Sequence, residues 1–298
     1  MGGTYEVELY PGATNAVVVE ASLRGRLKQE QRTGDAVVVG DRVQVLRHED
    51  GSQTIEAVED RRTELARRAP GRQGRHRAKV VVANVDQLAA VFAVTHPEPR
   101  LRMLDRFLVL AEANGLDAAI VANKVDLDPD AARAFAPYEE LGYTVVRTSA
   151  ETGEGVDRLQ QLLENRISVL TGPSGVGKSS LLNAMQPGFS LRVGDVSDAV
   201  RKGRHTTVSS VLLPLETGGY VADTPGLREL GLWGVEARDL DACFPEMQPL
   251  LGACQFRSCT HTHEPGCAVQ EAVETGEIRR DRYESYVALL AGEDLDGS

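Results

Sequence analysis

The spacing of apolar residues changes character twice along the chain. Before about residue 80 the chain reads as short β segments, at 16–19, 23–28, 36–39, 42–47 and 53–58. Gly34 with Asp35, Gly40 with Asp41, and Asp50 with Gly51 separate runs as turn signals. Five short strands in so small a unit predict a β-barrel, and the oligonucleotide-binding (OB) type fits. Period alone does not separate it from another small barrel. From about 81 strands alternate with helices. An apolar run at 88–94 precedes a stretch at 101–114 in which Leu101, Leu104, Leu108 and Ala111 keep helical spacing, with Gly115 as its C-cap. Strands are predicted at 118–122, 144–147, 167–170 and 220–222, and Val156, Leu159, Leu162 and Leu163 share one helix face. Such alternation predicts a parallel sheet covered on both faces, with ligand loops at the carboxyl ends of its strands. Past about 235 a cysteine cluster leads into helices at 269–274 and 277–290, the second burying Tyr283, Tyr286 and Leu290, and the tail 292–298 frays.

The loops between these elements carry chemistry. Gly172-Pro173-Ser174-Gly175-Val176-Gly177-Lys178-Ser179, followed by Ser180, sits between a strand and an apolar helix. Glycines there let successive backbone N–H groups turn inward around phosphates, and the helix N-terminus favours the same anion. Lys178 is the group to reach the β- and γ-phosphates and so to act in catalysis, and Ser179 the hydroxyl to ligate Mg²⁺. Asp223-Thr224-Pro225-Gly226 ends another strand. Asp223 would hold Mg²⁺ through water, and the Gly226 N–H would sense the γ-phosphate. Between the two motifs lies a polar stretch, 193–210, in which Thr206 or Thr207 could complete the Mg²⁺ shell. A long irregular loop in a compact domain is usually functional.

Asn123-Lys124-Val125-Asp126 follows a buried strand, and Ser149-Ala150 ends the next one. The Asp126 carboxylate can accept from guanine N1–H and N2–H₂, donors that adenine does not offer in that arrangement. Asn123 would fix the loop, the Lys124 stem would lie along the ring, and a backbone N–H of Ser149-Ala150 would meet O6. An Asn/Asp capping pair would explain the first motif alone but not the second. The base motifs precede the phosphate motifs, the reverse of an ordinary GTPase, so the predicted topology is circularly permuted. Where many GTPases carry a water-orienting glutamine, after Asp-x-x-Gly, this chain has Leu227. His205 is the candidate to orient water or accept a proton in its place, an exposed loop histidine being the alternative.

Cys254, Cys259, His261 and Cys267 give C-x4-C-x-H-x5-C. Three thiolates and an imidazole fit one closed structural Zn²⁺ site, and so small a segment needs such a staple. His263 is a second-choice ligand, and Cys243 reads better as a small buried apolar residue. The formal net charge of −11 argues against indiscriminate nucleic-acid binding. Residues 61–79 reverse it locally, with Arg61, Arg62, Arg67, Arg68, Arg72, Arg75, Arg77 and Lys79 against Glu64 alone. Pro70, Gly71 and Gly74 make this a flexible, exposed linker able to contact RNA phosphates. No run approaches the ~20 apolar residues that span a bilayer, and no secretory signal opens the chain, so a cytoplasmic protein with no membrane partner is expected.

In these residues the chain resembles the ribosome small-subunit-dependent GTPase A family of permuted bacterial GTPases. The matching stretches are Val39-Gly40-Asp41-Arg42-Val43, Ala83-Asn84-Val85-Asp86-Gln87, Asn123-Lys124-Val125-Asp126, residues 172–182, Gly203-Arg204-His205-Thr206-Thr207, Asp223-Thr224-Pro225-Gly226, Phe244-Pro245-Glu246 and residues 254–269. The resemblance implies a multidomain chain. Its parts would be an OB-fold barrel with basic linker (1–80), a permuted α/β P-loop GTPase core (81–235) and a small α-helical zinc-binding domain (236–298). It also implies GTP hydrolysis to GDP stimulated by the 30S subunit, binding to 16S rRNA, release late in maturation, and His205 as a switch residue. A monomer is expected. Some related GTPases bind potassium through an Asn in the glycine loop; Gly175 stands there, so this loop gives no support for potassium dependence. The rivals are an ATP-dependent P-loop enzyme, which Asp126 and Ser149 oppose, an RNA-binding module with a vestigial nucleotide site, and a GTPase serving another RNA particle.

Overall fold

The computed structural model describes residues 4–12, 15–33, 36–70, 76–189, 211–223 and 235–293. They fall into two compact units drawn from interleaved segments. One takes Met1–Asp86, Gln160–Val169 and Ser197–Gly231, and the other Gln87–Leu159, Leu170–Val196 and Leu232–Ser298.

The first unit begins with a four-stranded sheet in the order β1-β2-β4-β3: β1 Thr4–Leu9, β2 Val17–Leu23, β3 Val43–Arg47 and β4 Gln53–Val58. Tyr5 and Val7 of β1 and Ala21 and Leu23 of β2, at alternate positions, close with Ile55 and Val58 over a small core with Val37 and Leu27. Three readings of this stretch need correction. β1 was missed. The predicted strand at 23–28 is the end of β2 followed by helix α1, Gly25–Thr33. After Gly25 that stretch is rich in Arg, Lys, Gln and Glu, good helix formers with almost nothing to bury on a sheet face. The run at 36–39 makes only an isolated bridge, Val39 to Val82. It ends because Gly40 turns at φ 88°, where a Cβ would meet the Ala83 carbonyl oxygen at 2.1 Å.

The basic stretch is not a linker. It forms a hairpin, β5 Glu64–Pro70 with β6 His76–Ala83, and residues 71–75 lie outside the described set. Leu65 and Val82, both buried, and the half-buried Val80 supply the β-forming positions that pull the arginines into strands. Its base is pinned by Asp41, which accepts from the Val38 amide (2.7 Å) and from Arg61 (2.7 Å), and by Asn84, which links Arg62 N (2.9 Å) to the Gly40 carbonyl (2.9 Å). In the same unit the first half of β10 (Ile167–Thr171) pairs in parallel with β12 (Tyr220–Asp223), and β12 pairs antiparallel with β11 (Val211–Pro214), a strand the sequence reading missed.

The second unit holds the parallel strands β7 Gln87–Ala93, β8 Asp117–Asn123 and β9 Thr144–Thr148, and the last two residues of β10. Every residue of β7 is buried, as expected of a strand covered on both faces. Helix α2, Leu101–Ala113, packs Leu104, Phe107, Leu108 and Ala111 inward, with Phe107 6.2 Å from Phe92. Helices α3 (Ala136–Glu140), α4 (Val156–Leu163) and α5 (Lys178–Met185) follow within the alternating pattern. The carboxyl ends of β8, β9 and β10 deliver Asn123, Ser149 and Gly172, the predicted placement of the ligand loops.

Helices α6 (Ala268–Thr275) and α7 (Arg280–Leu290) end this unit. Phe244, Met247, Val269, Ile278, Tyr286 and Leu289 make a core that includes Val109 of α2. Tyr283 and Leu290 pack against it half-buried, so the predicted face of α7 is correct. Arg282, 3% exposed, pairs with Asp105 of α2 at 2.6 Å and with Glu246 at 2.6 Å. Tyr138 (2.7 Å) and Ser285 donate to the same Asp105 carboxylate. Desolvation works to discharge Arg282, but hydrogen bonding and charge from Glu246 and Asp105 outweigh it and hold the guanidinium charged. A buried cation with two carboxylates fixes the segment to α2 in one orientation.

Candidate nucleotide site and metal centre

The glycine loop is shaped by close backbone approaches. Gly172 leaves β10 at φ 139°, and a Cβ there would stand 2.0 Å from the Val91 carbonyl oxygen. Gly177 precedes α5 at φ 97°, and its Cβ would stand 2.4 Å from Asn123 Nδ2. Only glycine fits either place. The Lys178 ammonium donates to the carbonyls of Gly172 (2.7 Å) and Pro173 (2.8 Å), so it lies back across the loop. Ser179 is buried, 6% exposed, in the first turn of α5.

The base motif meets this loop directly. Asn123 Nδ2 donates to the Val176 carbonyl (2.8 Å), and its Oδ1 accepts from Thr148 Oγ1 (3.1 Å). Lys124, at φ 64°, donates from Nζ to the Gly175 carbonyl (2.7 Å) and to the His96 carbonyl. Val125 is buried, its amide bonded to the Thr148 carbonyl (3.2 Å), while Asp126 is exposed. Ser149 closes a tight turn. Its amide donates to the Glu154 carbonyl (2.9 Å), its carbonyl accepts from Gly153, and its hydroxyl accepts from Thr152 N (3.1 Å). Motifs separated in sequence therefore share one hydrogen-bonded edge, and the base motif, first in the chain, abuts the phosphate loop.

Thr148 and the His96 carbonyl were not foreseen. Thr148 directly precedes the predicted Ser149, but a carbonyl acceptor leaves no residue signature. Of Asp223 only the strand position is described. His205, Thr206, Thr207, Gly226 and Leu227 lie outside the described residues.

Cys254, Cys259, His261 and Cys267 come together, their ligand atoms all within 4.8 Å of one another. His261 Nδ1 lies 3.3 Å from Cys267 Sγ and 3.5 Å from Cys254 Sγ, and the two sulfurs are 3.9 Å apart. Three thiols and one ring nitrogen at this spacing can hold a metal ion, and soft sulfur donors suit zinc. The two alternatives fall away. His263 turns to the Thr262 hydroxyl (2.9 Å). Cys243 is buried in the core shared with α2, where burial, with Glu112, Asp241 and Asp239, pushes its thiol up to about 11.

The fold and these loops define a circularly permuted P-loop GTPase. The chain belongs to the RsgA GTPase family, whose model matches residues 58–233. It is 54% identical over 292 residues to the small ribosomal subunit biogenesis GTPase RsgA of Gemmatimonas aurantiaca, covering 97% of this chain and 93% of that one. Its counterpart in Moorella thermoacetica is 44% identical over 97% of this chain and 93% of its own. Among solved structures, YjeQ from Thermotoga maritima superposes with a TM-score of 0.78 at 38% identity, covering 99% and 95% of the two chains. YloQ, described as a circularly permuted GTPase, gives 0.72 at 32% identity over 97% and 91%. Among the described residues no helix is long and apolar enough to cross a membrane.

Proposed function

We propose that this GTPase acts in late maturation of the small ribosomal subunit, holding 16S rRNA while GTP is bound and leaving after hydrolysis. The relatives' printed name supports the small subunit as partner. The single observation that carries the nucleotide reading is the Asn123–Val176 bond beside the Lys124–Gly175 bond, which joins base and phosphate loops. Asp126, exposed at the rim, accepts from guanine N1–H and N2–H₂. The Ser149 amide is engaged by Glu154, so the Ala150 amide is the donor for O6. Gly172, Pro173, Ser174, Gly175, Val176, Gly177 and Ser180 contribute the backbone that wraps the phosphates, and Lys178 moves from the loop carbonyls onto the β- and γ-oxygens. Mg²⁺ would be held by Ser179, by Thr206 or Thr207, and through water by Asp223, and would neutralise charge on the phosphates. With Leu227 in place of glutamine, His205 orients the attacking water. Loss of the γ-phosphate releases the contacts at Thr206 or Thr207 and at Gly226 and lowers affinity for the subunit.

The N-terminal sheet acts as an OB-type RNA reader, and the hairpin β5–β6 brings Arg67 opposite Lys79, a cationic ribbon for phosphate backbone. The Cys254, Cys259, His261 and Cys267 cluster holds one structural Zn²⁺, and the protein works as a cytoplasmic monomer. GTP turnover titrated with purified small subunits tests the proposal. A rise of at least tenfold, absent with large subunits, is expected. A flat response would remove the small subunit as partner.

A further inference from the structure

We propose that Asp241 is a positioning residue of the metal centre: its carboxylate holds the His261 ring so that Nδ1 faces the metal, and it ties the centre to the turn packed on α2. The proposal rests on reading the Cys254, Cys259, His261 and Cys267 cluster as a zinc site. Asp241 lies outside the cysteine segment, and nothing in the ligand spacing calls for it. His261 is 3% exposed, with Nδ1 turned to two thiols and Nε2 3.2 Å from Asp241 Oδ2. A carboxylate accepts and cannot donate, so the imidazole proton belongs on Nε2 and Nδ1 keeps its lone pair, the tautomer a metal requires. Asp241 is itself held, because its Oδ1 accepts from the Ala242 amide at 2.8 Å.

The consequence reaches beyond the ring. Asp241 opens the short 3-10 turn Asp241–Cys243, and Cys243 with the adjacent Phe244 lies in the core that includes Val109 of α2. From the other side, Tyr283 donates to the His261 carbonyl (2.7 Å) and Tyr286 to the Thr260 carbonyl (2.9 Å). The ring is therefore oriented by Asp241 while α7 fixes its backbone. Ring and turn belong to one buried assembly, and the metal's hold on His261 extends to the surface of α2.

The test uses the full chain with Asp241→Ala, Asp241→Asn and Asp241→Glu, and Asp239→Ala as the neighbouring control. Zinc affinity is read by competition with a chromogenic chelator, and ligand geometry by the visible spectrum of the cobalt-substituted protein. Asp241→Ala should weaken zinc about 10- to 100-fold and alter the cobalt bands. Asp241→Asn, which keeps an acceptor without its charge, should fall between, and Asp241→Glu should recover most of the loss. Asp239→Ala should bind as wild type. Should Asp241→Ala not fold, Asp241→Asn carries the comparison. Wild-type affinity and unaltered cobalt bands in both would overturn the proposal alone. A wild-type chain that takes up no zinc would overturn the metal reading, and the proposal with it.

Discussion

At the scale of single residues, the site depends on positions where a side chain is forbidden as much as on those where one acts. Gly177 shows this best. Its left-handed φ would cost another residue about 1–2 kcal/mol, and a Cβ would also push Asn123 off the Val176 carbonyl. Gly177→Ala should therefore weaken GDP and GTP alike by tenfold or more, measured by fluorescent-nucleotide titration, with unfolding free energy lowered by about 1–2 kcal/mol. Unchanged affinity would mean that the loop tolerates the shift and that Asn123 does not shape it. Sequence reasoning reached Asn123, Lys124, Gly172, Gly177 and Lys178 because phosphate and base binding demand those residue types at fixed spacing. It did not reach Thr148, since one threonine beside a motif has no pattern of its own.

At the scale of elements, what lies between α2 and α7 determines how the C-terminal segment is carried. Asp105 and Arg282 stand 177 positions apart, and nothing local in the sequence pairs them. Phe244-Pro245-Glu246 could be singled out by resemblance, yet the physical role of Glu246 emerges only when Arg282 reaches it. Removing Arg282 leaves two buried carboxylates without their cation. Arg282→Leu should lower stability by about 3–5 kcal/mol in urea denaturation. The exposed pair Arg102–Glu284, with side chains 56% and 50% exposed, is the internal control, and Arg102→Ala should cost under about 1 kcal/mol. Equal losses would mean that the buried cluster does not anchor α7. The N-terminal elements were harder to read. Short polar stretches carry little periodicity, so α1 passed for a strand. The hairpin β5–β6 passed for a linker because its charge and glycines masked the β-forming Leu65, Val80 and Val82.

At the scale of the whole molecule, the order of the parts is permuted while their meeting is preserved. The alternating strands made that architecture legible, and the motif order gave the permutation. Residue patterns alone could not say that β8 and β10 bring their loops into hydrogen-bonding contact. The Asn123–Val176 and Lys124–Gly175 bonds show it. The central claim is that this permuted chain still makes one guanine-specific site, with Asp126 reading the base and the glycine loop holding the phosphates. Titration calorimetry of wild type and Asp126→Asn with GDP, ADP and xanthosine diphosphate tests it most directly. Wild type should bind one GDP per chain and prefer it to ADP by at least about hundredfold, since the loss of two charge-assisted hydrogen bonds is costly. Asp126→Asn should lose GDP and gain the xanthosine nucleotide, whose O2 can accept from the new amide. Equal binding of GDP and ADP by wild type, or an Asp126→Asn chain that still prefers GDP, would contradict it.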